Sequence, residues 1–136
     1  MKHTYIDLFC GSGGFSLGFE QAGYKQLFSN EIEKSFSETY THNFPKHKLI
    51  IDDIKKITEE KIDSIIGSSK VDIIIGGPPC QGFSMAGNIG RKFLIDPRNK
   101  LFLEFYRIVN FLKPKIFIIE NVERLFIHNK GETIKE

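Results

Sequence analysis

The chain has 136 residues, a formal net charge of +2, 13 Phe and no Trp. This length suits one domain that buries roughly 65–70% of its unfolded surface, and the small net charge says little about partners. No low-complexity tract, internal repeat or apolar run of the ~18 residues that a membrane span needs occurs, which excludes disordered, repeat and membrane-spanning classes. Asp7 interrupts the apolar start and the two cysteines are too few for a disulfide scaffold, so we expect a cytoplasmic protein without an export signal.

Segments typical of strands alternate with segments typical of helices along the chain. The predicted strands are residues 4–9, 25–30, 48–51, 71–75 and 115–120. The helices between them carry apolar side chains at helical spacing, in the sets Phe15, Phe19 and Ala22; Phe36, Tyr40 and Phe44; Ile62, Ile65 and Ile66; and Leu101, Phe105, Ile108, Val109 and Leu112. The ends of these helices are predicted at Gly23, Pro45, Gly67 and Pro114, and Asp96-Pro97 is typical of a helix start. We expect these apolar stripes to be core and to have no chemical role.

This alternation predicts an α/β fold, a doubly wound and mostly parallel sheet with helices on both faces. The run VDIII, residues 71–75, is typical of a strand that is buried on both faces. In such sheets, ligands bind beyond the carboxyl ends of the strands. The unusual residues fall at that edge: CGSGG after the first strand, Glu31 after the second, GGPPC after the fourth and EN after the fifth.

The glycine-rich turn between the first strand and the first helix indicates a nucleotide site. It is not the dinucleotide fingerprint, because Ser16 stands where G-x-G-x-x-G needs its third glycine. Glu31, twenty residues after Gly11, is placed to accept hydrogen bonds from both hydroxyls of a ribose. Without a Walker lysine, an adenosine cofactor lacking a pyrophosphate fits better than NAD. Asp53 is either an acceptor for an adenine amine or a solvated acid beside Asp52.

The stretch VDIIIGGPPCQGFS, residues 71–84, places Cys80 on a stiff corner. A cysteine chosen at random is more often buried and inert. Here Pro78 and Pro79 fix the backbone angles, and glycines leave space for a flat ligand, namely Gly76, Gly77 and Gly82. We interpret the thiol as held out for nucleophilic attack.

A basic cluster follows the cysteine corner, made of Arg91, Lys92, Arg98 and Lys100. A solvated loop is the ordinary explanation of such a cluster. Beside a reactive cysteine, the cluster also favours the thiolate and is suited to bind phosphate.

Three motifs, DLFCGSGG, GGPPCQGFS and IENV, occur in this order on alternating strands. They closely resemble those of the DNA cytosine-5 methyltransferases, and the resemblance covers residues 5–125. It implies a Rossmann-like S-adenosylmethionine-dependent methyltransferase fold, with residues 1–136 as a partial catalytic domain, double-stranded DNA as the partner and no metal. The residues implied to bind S-adenosylmethionine are Phe9, Gly11, Gly13, Gly14, Glu31, Ile32, Asp53, Pro79 and Leu101.

The same resemblance implies a role for Cys80 as the nucleophile and for Glu120 at the edge of the cytosine ring. Thiolate addition at carbon 6 turns the ring into an enamine whose carbon 5 accepts a methyl group, and Glu120 at ring nitrogen 3 offsets the charge. The target base must leave the duplex stack. The residues implied to shape the substrate pocket are Ser84, Asn121 and Val122, and segment 90–100 resembles a loop that closes over DNA.

Several alternatives stay open at this point. The family continues beyond the motifs present here with a target-recognition region, so we expect either a truncated product or the catalytic half of a split enzyme with a complementary chain. The function implied by the resemblance is that of a DNA cytosine-5 methyltransferase of the restriction–modification type. The competing functions are an RNA cytosine methyltransferase and a non-catalytic fragment that binds a cofactor or a partner. Cys10 is expected to be a packing residue, with a disulfide to Cys80 as the less favoured alternative.

Overall fold

A computed structural model describes residues 2–79 and 100–121 of the chain. The strands are β1 (Thr4–Leu8), β2 (Lys25–Glu31), β3 (Leu49–Ile51), β4 (Ile73–Gly76) and β5 (Ile116–Ile119). The helices are α1 (Gly14–Gln21), α2 (Lys34–Asn43), α3 (Glu59–Ile66) and α4 (Lys100–Leu112), with a 3₁₀ turn at Ile54–Lys56. The predicted elements are confirmed with small shifts at their ends, while the Asp96-Pro97 helix start lies outside the described residues.

The five strands form one parallel sheet in the order β3-β2-β1-β4-β5. Ile74 of β4 lies in register with Ile6 of β1 on one side and Phe117 of β5 on the other. The chain runs outward from β1 through β2 to β3 and then crosses to β4, so the order reverses between β1 and β4. A crevice at such a reversal, beyond the carboxyl ends of the strands, is the usual ligand site of this architecture.

Helices cover both faces of the sheet, as the doubly wound prediction requires. One face packs against α3 and α4, and its buried cluster includes Ile6, Leu8, Phe28 and Ile74 from the strands with Ile62, Phe105 and Ile108 from the helices. The opposite face packs against α1 and α2, through Tyr5, Ile73 and Ile75 with Phe19, and through Tyr40 and Phe44 with Cys10. Ile74 and Ile75 point to opposite faces and are both fully buried, which confirms the prediction for residues 71–75.

Strand β5 is less covered than the strands beside it. Ile116 and Phe117 each keep 55% of their surface exposed, and Ile118 keeps 41%. Within the described ranges β5 pairs with β4 alone. None of the helices in those ranges is both long enough and apolar enough to cross a bilayer.

The amino ends of three strands are tied together by one carboxylate. Asp72 Oδ2 accepts a hydrogen bond from the Thr4 backbone N–H at 2.9 Å, and the Asp72 N–H donates to Thr4 Oγ1 at 3.1 Å. The Lys115 ammonium, just before β5, lies 2.6 Å from Asp72 Oδ1. The hydrogen bond from Lys115, followed by that from Thr4, holds the pKa of Asp72 well below its usual range.

Replacing Asp72 should separate the contribution of its hydrogen bonds to stability from the contribution of its negative charge. We expect Asp72→Ala, which loses both the acceptor and the charge, to lower the Tm by on the order of 5 °C. Asp72→Asn keeps an acceptor for Thr4 and should lose less.

Because the pKa of Asp72 is depressed in the folded state, the parent should have a higher Tm than Asp72→Asn at neutral pH. This difference in Tm should shrink as the pH falls below about 4. Thermal unfolding of the three proteins from pH 7 to pH 3 measures both effects. A difference in Tm between parent and Asp72→Asn that stays constant over this range would show that the charge of Asp72 does not contribute to stability.

Candidate functional site

A cavity of about 430 Å³ opens at the carboxyl edge of the sheet, a size ordinary for small-molecule sites. It lies at the order reversal, because its lining comes from the segments that follow β1, β2, β3 and β4 and from the first turn of α4. The structure brings together at this cavity seven of the residues implied to bind a cofactor: Phe9, Gly11, Glu31, Ile32, Asp53, Pro79 and Leu101. Gly13 and Gly14 do not line it.

The turn between β1 and α1 has an unusual backbone. Phe9, Gly11 and Gly13 all have positive φ, at 57°, 54° and 96°. The left-handed region is disfavoured for a residue with a side chain, so Phe9 is held there by its surroundings. Gly13 has a second requirement, because a Cβ at this position would overlap the ring of Phe44 and come within 3.0 Å of the ring of Tyr40. Gly13 therefore serves the packing of the turn against α2 rather than the lining of the cavity.

Glu31, the last residue of β2, binds three backbone amides. Its Oε2 accepts from the Gly11 N–H at 2.8 Å, and its Oε1 accepts from the Ile32 and Glu33 N–H groups, each at 2.8 Å. These bonds join the glycine turn to the segment that begins α2. A carboxylate offers about four acceptor positions, so about one remains on Oε2 for a ligand hydroxyl. The sequence predicted bonds to two hydroxyls, and the amide contacts could not be anticipated from it.

Two neighbouring acids after β3 have different roles. The carboxylate of Asp52 lies 3.4 Å from Lys56 Nζ and 3.8 Å from Lys61 Nζ, and its Oδ1 also accepts from the Asp53 N–H at 2.8 Å. Asp53 Oδ1 accepts from the Lys55 N–H at 3.0 Å and caps the 3₁₀ turn. Both residues line the cavity. Among the described residues, Asp53 Oδ2 accepts no hydrogen bond, which leaves it to a ligand donor.

The apolar part of the cavity wall includes a residue that was expected in the core. Phe36 belongs to the apolar stripe of α2, but it is 50% exposed and lines the cavity, so the core prediction is wrong for this side chain. The core prediction is also wrong for Phe15, which is 37% exposed, and for Ala22, which is exposed as well. Phe36 lies in the first turn of α2. Ile32 is 62% exposed in the same wall. Exposed apolar side chains at a concave site favour a flat, partly apolar ligand.

Sequence reasoning missed other cavity-lining residues, namely Asn30, Asp52, Ile54 and Lys55, whereas Gly77 was expected to leave space for a ligand. Asn30 is buried, and its Nδ2 donates to the carbonyls of Ile50 and Asp52 at 3.1 and 2.9 Å. It therefore fixes the end of β3 against β2. The position of Asn30 directly before Glu31 was the available signal, since it stands at the carboxyl end of a strand.

The corner after β4 lies beside the acid that follows β5. The Glu120 N–H donates to the Gly76 carbonyl at 3.0 Å. A Cβ at Gly77 would lie 2.9 Å from Glu120 Oε2, so the carboxylate of Glu120 lies close to Gly77. Because Gly77 also lines the cavity, the wall of the cavity and the carboxylate of Glu120 share this residue.

Several predicted site residues lie outside the described residues: Cys80, Ser84 and Val122, together with Arg91, Lys92, Arg98 and the rest of segment 90–99. Asn121 is described and is partly buried beside Glu120. Within the described ranges, no three His, Cys, Asp or Glu side chains are grouped as a metal site requires.

Cys10 is a packing residue, as predicted. It is 7% exposed and packs in the cluster with Tyr40 and Phe44. Burial, followed by the nearby charges of Asp7 and Glu31, raises the pKa of the Cys10 thiol well above its usual range. The thiol is therefore held in its unreactive protonated form.

A buried carboxyl group, Asp7, lies in β1 behind the glycine turn. It is 0% exposed, and its Oδ2 accepts from Ser16 Oγ at 2.7 Å. Among the described residues its Oδ1 has no hydrogen-bond partner. Burial raises the pKa of Asp7 to about 7, the bonds from Ser16 oppose the rise, and the charge of Glu31 adds to it.

This raised pKa predicts that Asp7 makes the protein less stable as the pH rises. The folded state keeps a proton on Asp7 that the unfolded chain has already lost above about pH 4, so folding is disfavoured progressively up to pH 7. In Asp7→Asn this pH dependence is absent. Relative to the variant, we expect the parent to lose about 3 kcal/mol of unfolding free energy between pH 5 and pH 8.

Urea unfolding at each pH measures this difference, and Asp63→Asn on the exposed side of α3 is the matched control. Profiles of parent and Asp7→Asn that run parallel would show that Asp7 keeps an ordinary pKa.

The sequence and the fold have clear counterparts among known proteins. The profile of the family described as C-5 cytosine-specific DNA methylase matches residues 3–136. The chain is 55% identical over 136 residues to Type II methyltransferase M1.HphI of Haemophilus parahaemolyticus, covering 100% of this chain and 37% of that protein. It is 50% identical over 117 residues to Type II methyltransferase M.DdeI of Desulfomicrobium norvegicum, covering 86% of this chain and 27% of that protein.

A solved structure agrees with these sequence matches. A prophage-encoded protein of E. coli, described as a DNA modification methyltransferase, superposes with a TM-score of 0.82 at 35% identity, covering 98% of this chain and 36% of that one. The chain thus spans only part of the length of the proteins it resembles. From the match over residues 3–136, the chain belongs to the C-5 cytosine-specific DNA methylase family.

Proposed function

We propose that this chain carries the cofactor site and the catalytic residues of a DNA cytosine-5 methyltransferase of the restriction–modification type, which uses S-adenosylmethionine. One observation carries the proposal: Gly77 lines the cavity on one side and contacts the carboxylate of Glu120 on the other. A methyl donor in the cavity and a base held by Glu120 would therefore meet at the corner that leads to Cys80.

The cavity wall fits the chemical groups of S-adenosylmethionine. Glu31 Oε2 has an acceptor position for a ribose hydroxyl, and Asp53 Oδ2 has one for the amine of adenine. Ile32 and Phe36 offer exposed apolar surface for the flat adenine ring. When bound, the cofactor supplies an electrophilic methyl group on a sulfonium centre.

The residues of the chain would activate the cytosine. Carbon 5 of cytosine is a weak nucleophile, so Cys80 as a thiolate adds to carbon 6 and moves electron density towards carbon 5 and ring nitrogen 3. Once carbon 5 carries the methyl group, a base such as water takes the proton from carbon 5. The electron pair of that C–H bond reforms the double bond between carbons 5 and 6, so the bond from carbon 6 to the sulfur breaks, and Cys80 leaves as a thiolate. The addition and the elimination balance, and no external oxidant or reductant is needed.

Glu120 would stabilise the charge that the addition places on the ring. A carboxyl group that is hydrogen-bonded to ring nitrogen 3 acts most strongly when the negative charge has developed there, which favours the transition state over the ground state. The side chain is exposed in this structure, so it is accessible to a base that has left the duplex stack.

A covalent trap tests the roles of Cys80 and Glu120. The assay uses a chimera in which this chain replaces the matching 136 residues of M1.HphI, so it does not depend on whether the remaining part comes from the same polypeptide or from a complementary chain. We expect duplex DNA with 5-fluorocytosine to form an adduct when S-adenosylmethionine is present. Cys80→Ser should form none, and Glu120→Gln should form it about 10²- to 10³-fold more slowly.

Denaturing gel electrophoresis of the labelled DNA measures the adduct. Parallel transfer of a labelled methyl group to duplex DNA and to tRNA separates the DNA enzyme from an RNA cytosine methyltransferase. An adduct that survives in Cys80→Ser would falsify the proposed nucleophile.

Glu31→Gln tests the cofactor site. The amide nitrogen of Gln cannot accept a hydrogen bond, so the variant leaves a backbone N–H unpaired and loses the charge that a ribose hydroxyl would contact. We expect the affinity for S-adenosylhomocysteine, measured by titration calorimetry on the chain, to fall about 10- to 100-fold.

Glu33→Gln is the matched control, since it removes the same charge from an exposed neighbour and keeps the N–H that binds Glu31. Equal losses in the two variants would mean that Glu31 contributes only general negative charge.

A further inference from the structure

Tyr40 of α2 connects three parts of the fold through one hydroxyl group. The residue is fully buried, and its Oη lies 2.8 Å from Ser16 Oγ in α1, 2.8 Å from Ser29 Oγ in β2 and 3.0 Å from His47 Nδ1. A phenol has one donor hydrogen and two acceptor positions, so these three partners satisfy it completely. Helical spacing predicted a buried ring at this position and nothing about the hydroxyl.

The same residue supports the glycine turn from behind. The ring of Tyr40 lies so close to Gly13 that a Cβ there would approach it to 3.0 Å. Ser16 Oγ, which contacts the Tyr40 hydroxyl, also donates to Asp7 Oδ2 at 2.7 Å. The residues on both sides of the turn, Asp7 in β1 and Ser16 in α1, are thus joined to each other and to α2.

The turn needs such external support because its own sequence supplies little. Gly13 is the N-cap of α1 and has no side chain to bond the first amides of the helix. Phe9 adopts a left-handed conformation that its side chain disfavours. On the cavity side, the bond from the Gly11 N–H to Glu31 holds the turn. On the opposite side Gly13 contacts the rings of Tyr40 and Phe44, and Ser16 is hydrogen-bonded to Tyr40.

We propose that Tyr40 is a positioning residue, which holds the glycine turn through Ser16 in the shape that the cavity requires. It touches no ligand itself, because it lies on the α2 side of the turn and does not line the cavity. The consequence for cofactor affinity rests on the proposed function, whereas the effect on the turn does not.

Three variants separate positioning of the turn from general stability. Tyr40→Phe and Ser16→Ala both break the link between α2 and the turn. Ser29→Ala is the matched control, since it removes another hydrogen bond of the same hydroxyl on the side of the sheet. The double variant Ser16→Ala with Tyr40→Phe tests whether the two residues act as a unit.

The first measurement is amide hydrogen exchange at constant pH. The Gly13 N–H donates to the Cys10 carbonyl and the Leu17 N–H to the Gly13 carbonyl, each at 2.9 Å, so both amides report on the turn. The Ile62 N–H in α3 donates to Thr58 at 3.0 Å and reports on a distant helix. We expect Tyr40→Phe and Ser16→Ala to accelerate exchange at the turn about tenfold more than at Ile62.

The second measurement is the affinity for S-adenosylhomocysteine by calorimetry. We expect a loss of about tenfold in Tyr40→Phe and in Ser16→Ala, little further loss in the double variant, and a loss of less than about threefold in Ser29→Ala. The proposal is overturned if exchange accelerates equally at the turn and at Ile62. It is also overturned if Ser29→Ala and Ser16→Ala lose equal affinity for S-adenosylhomocysteine, or if the parent binds the probe and Tyr40→Phe binds it equally well. If the parent does not bind the probe but exchange is still accelerated selectively at the turn, the proposed cofactor fails and the positioning role of Tyr40 is supported.

Discussion

The carboxylate of Glu31 joins the two chain segments that shape the cavity. It stands at the end of β2 and accepts hydrogen bonds from one amide of the glycine turn and from two amides that precede α2. A charge that is only 8% exposed is costly unless it is hydrogen-bonded, and three amides meet most of that requirement. Because these contacts are internal to the chain, the cavity has its shape before any ligand arrives. Preorganisation of this kind reduces the ordering cost of binding.

Much of the fold could be predicted because its signals are local. Continuous apolar runs identified the buried strands, and helical spacing identified the faces of the helices. The sheet then gathered the unusual residues at one edge, which located the cavity. The prediction was wrong for Phe15, Ala22 and Phe36, since spacing defines a helix face but not which turns of that face the rest of the fold covers. The hydroxyl contacts of Tyr40 lay beyond prediction for a related reason, because Ser16 and Ser29 are 24 and 11 residues away in the chain.

Asp52 and Asp53 also show that contacts with more distant residues, which the local sequence does not reveal, determine the role of a side chain. Their sequence context is nearly identical, and the sequence left open whether Asp53 was a ligand residue or a solvated acid. The carboxylate of Asp52 pairs with Lys56 and Lys61, whereas Asp53 caps the 3₁₀ turn. Asp52 and Asp53 therefore differ because two lysines, four and nine residues after Asp52, form ion pairs with Asp52.

The two ends of the sheet are built on different principles. At the amino end, Asp72 fastens β1, β4 and β5 through Thr4 and Lys115, so strand register is set far from the cavity. At the carboxyl end, Asn30 lines the cavity and fixes β3 against β2, whereas the loops after β1 and β4 take no part in the Asp72 contacts. Loops at that end can consequently be exchanged or lengthened, and a new ligand preference acquired, without realigning the strands. The contacts of Asp72 with Thr4 and Lys115 therefore allow one fold to carry different ligand sites.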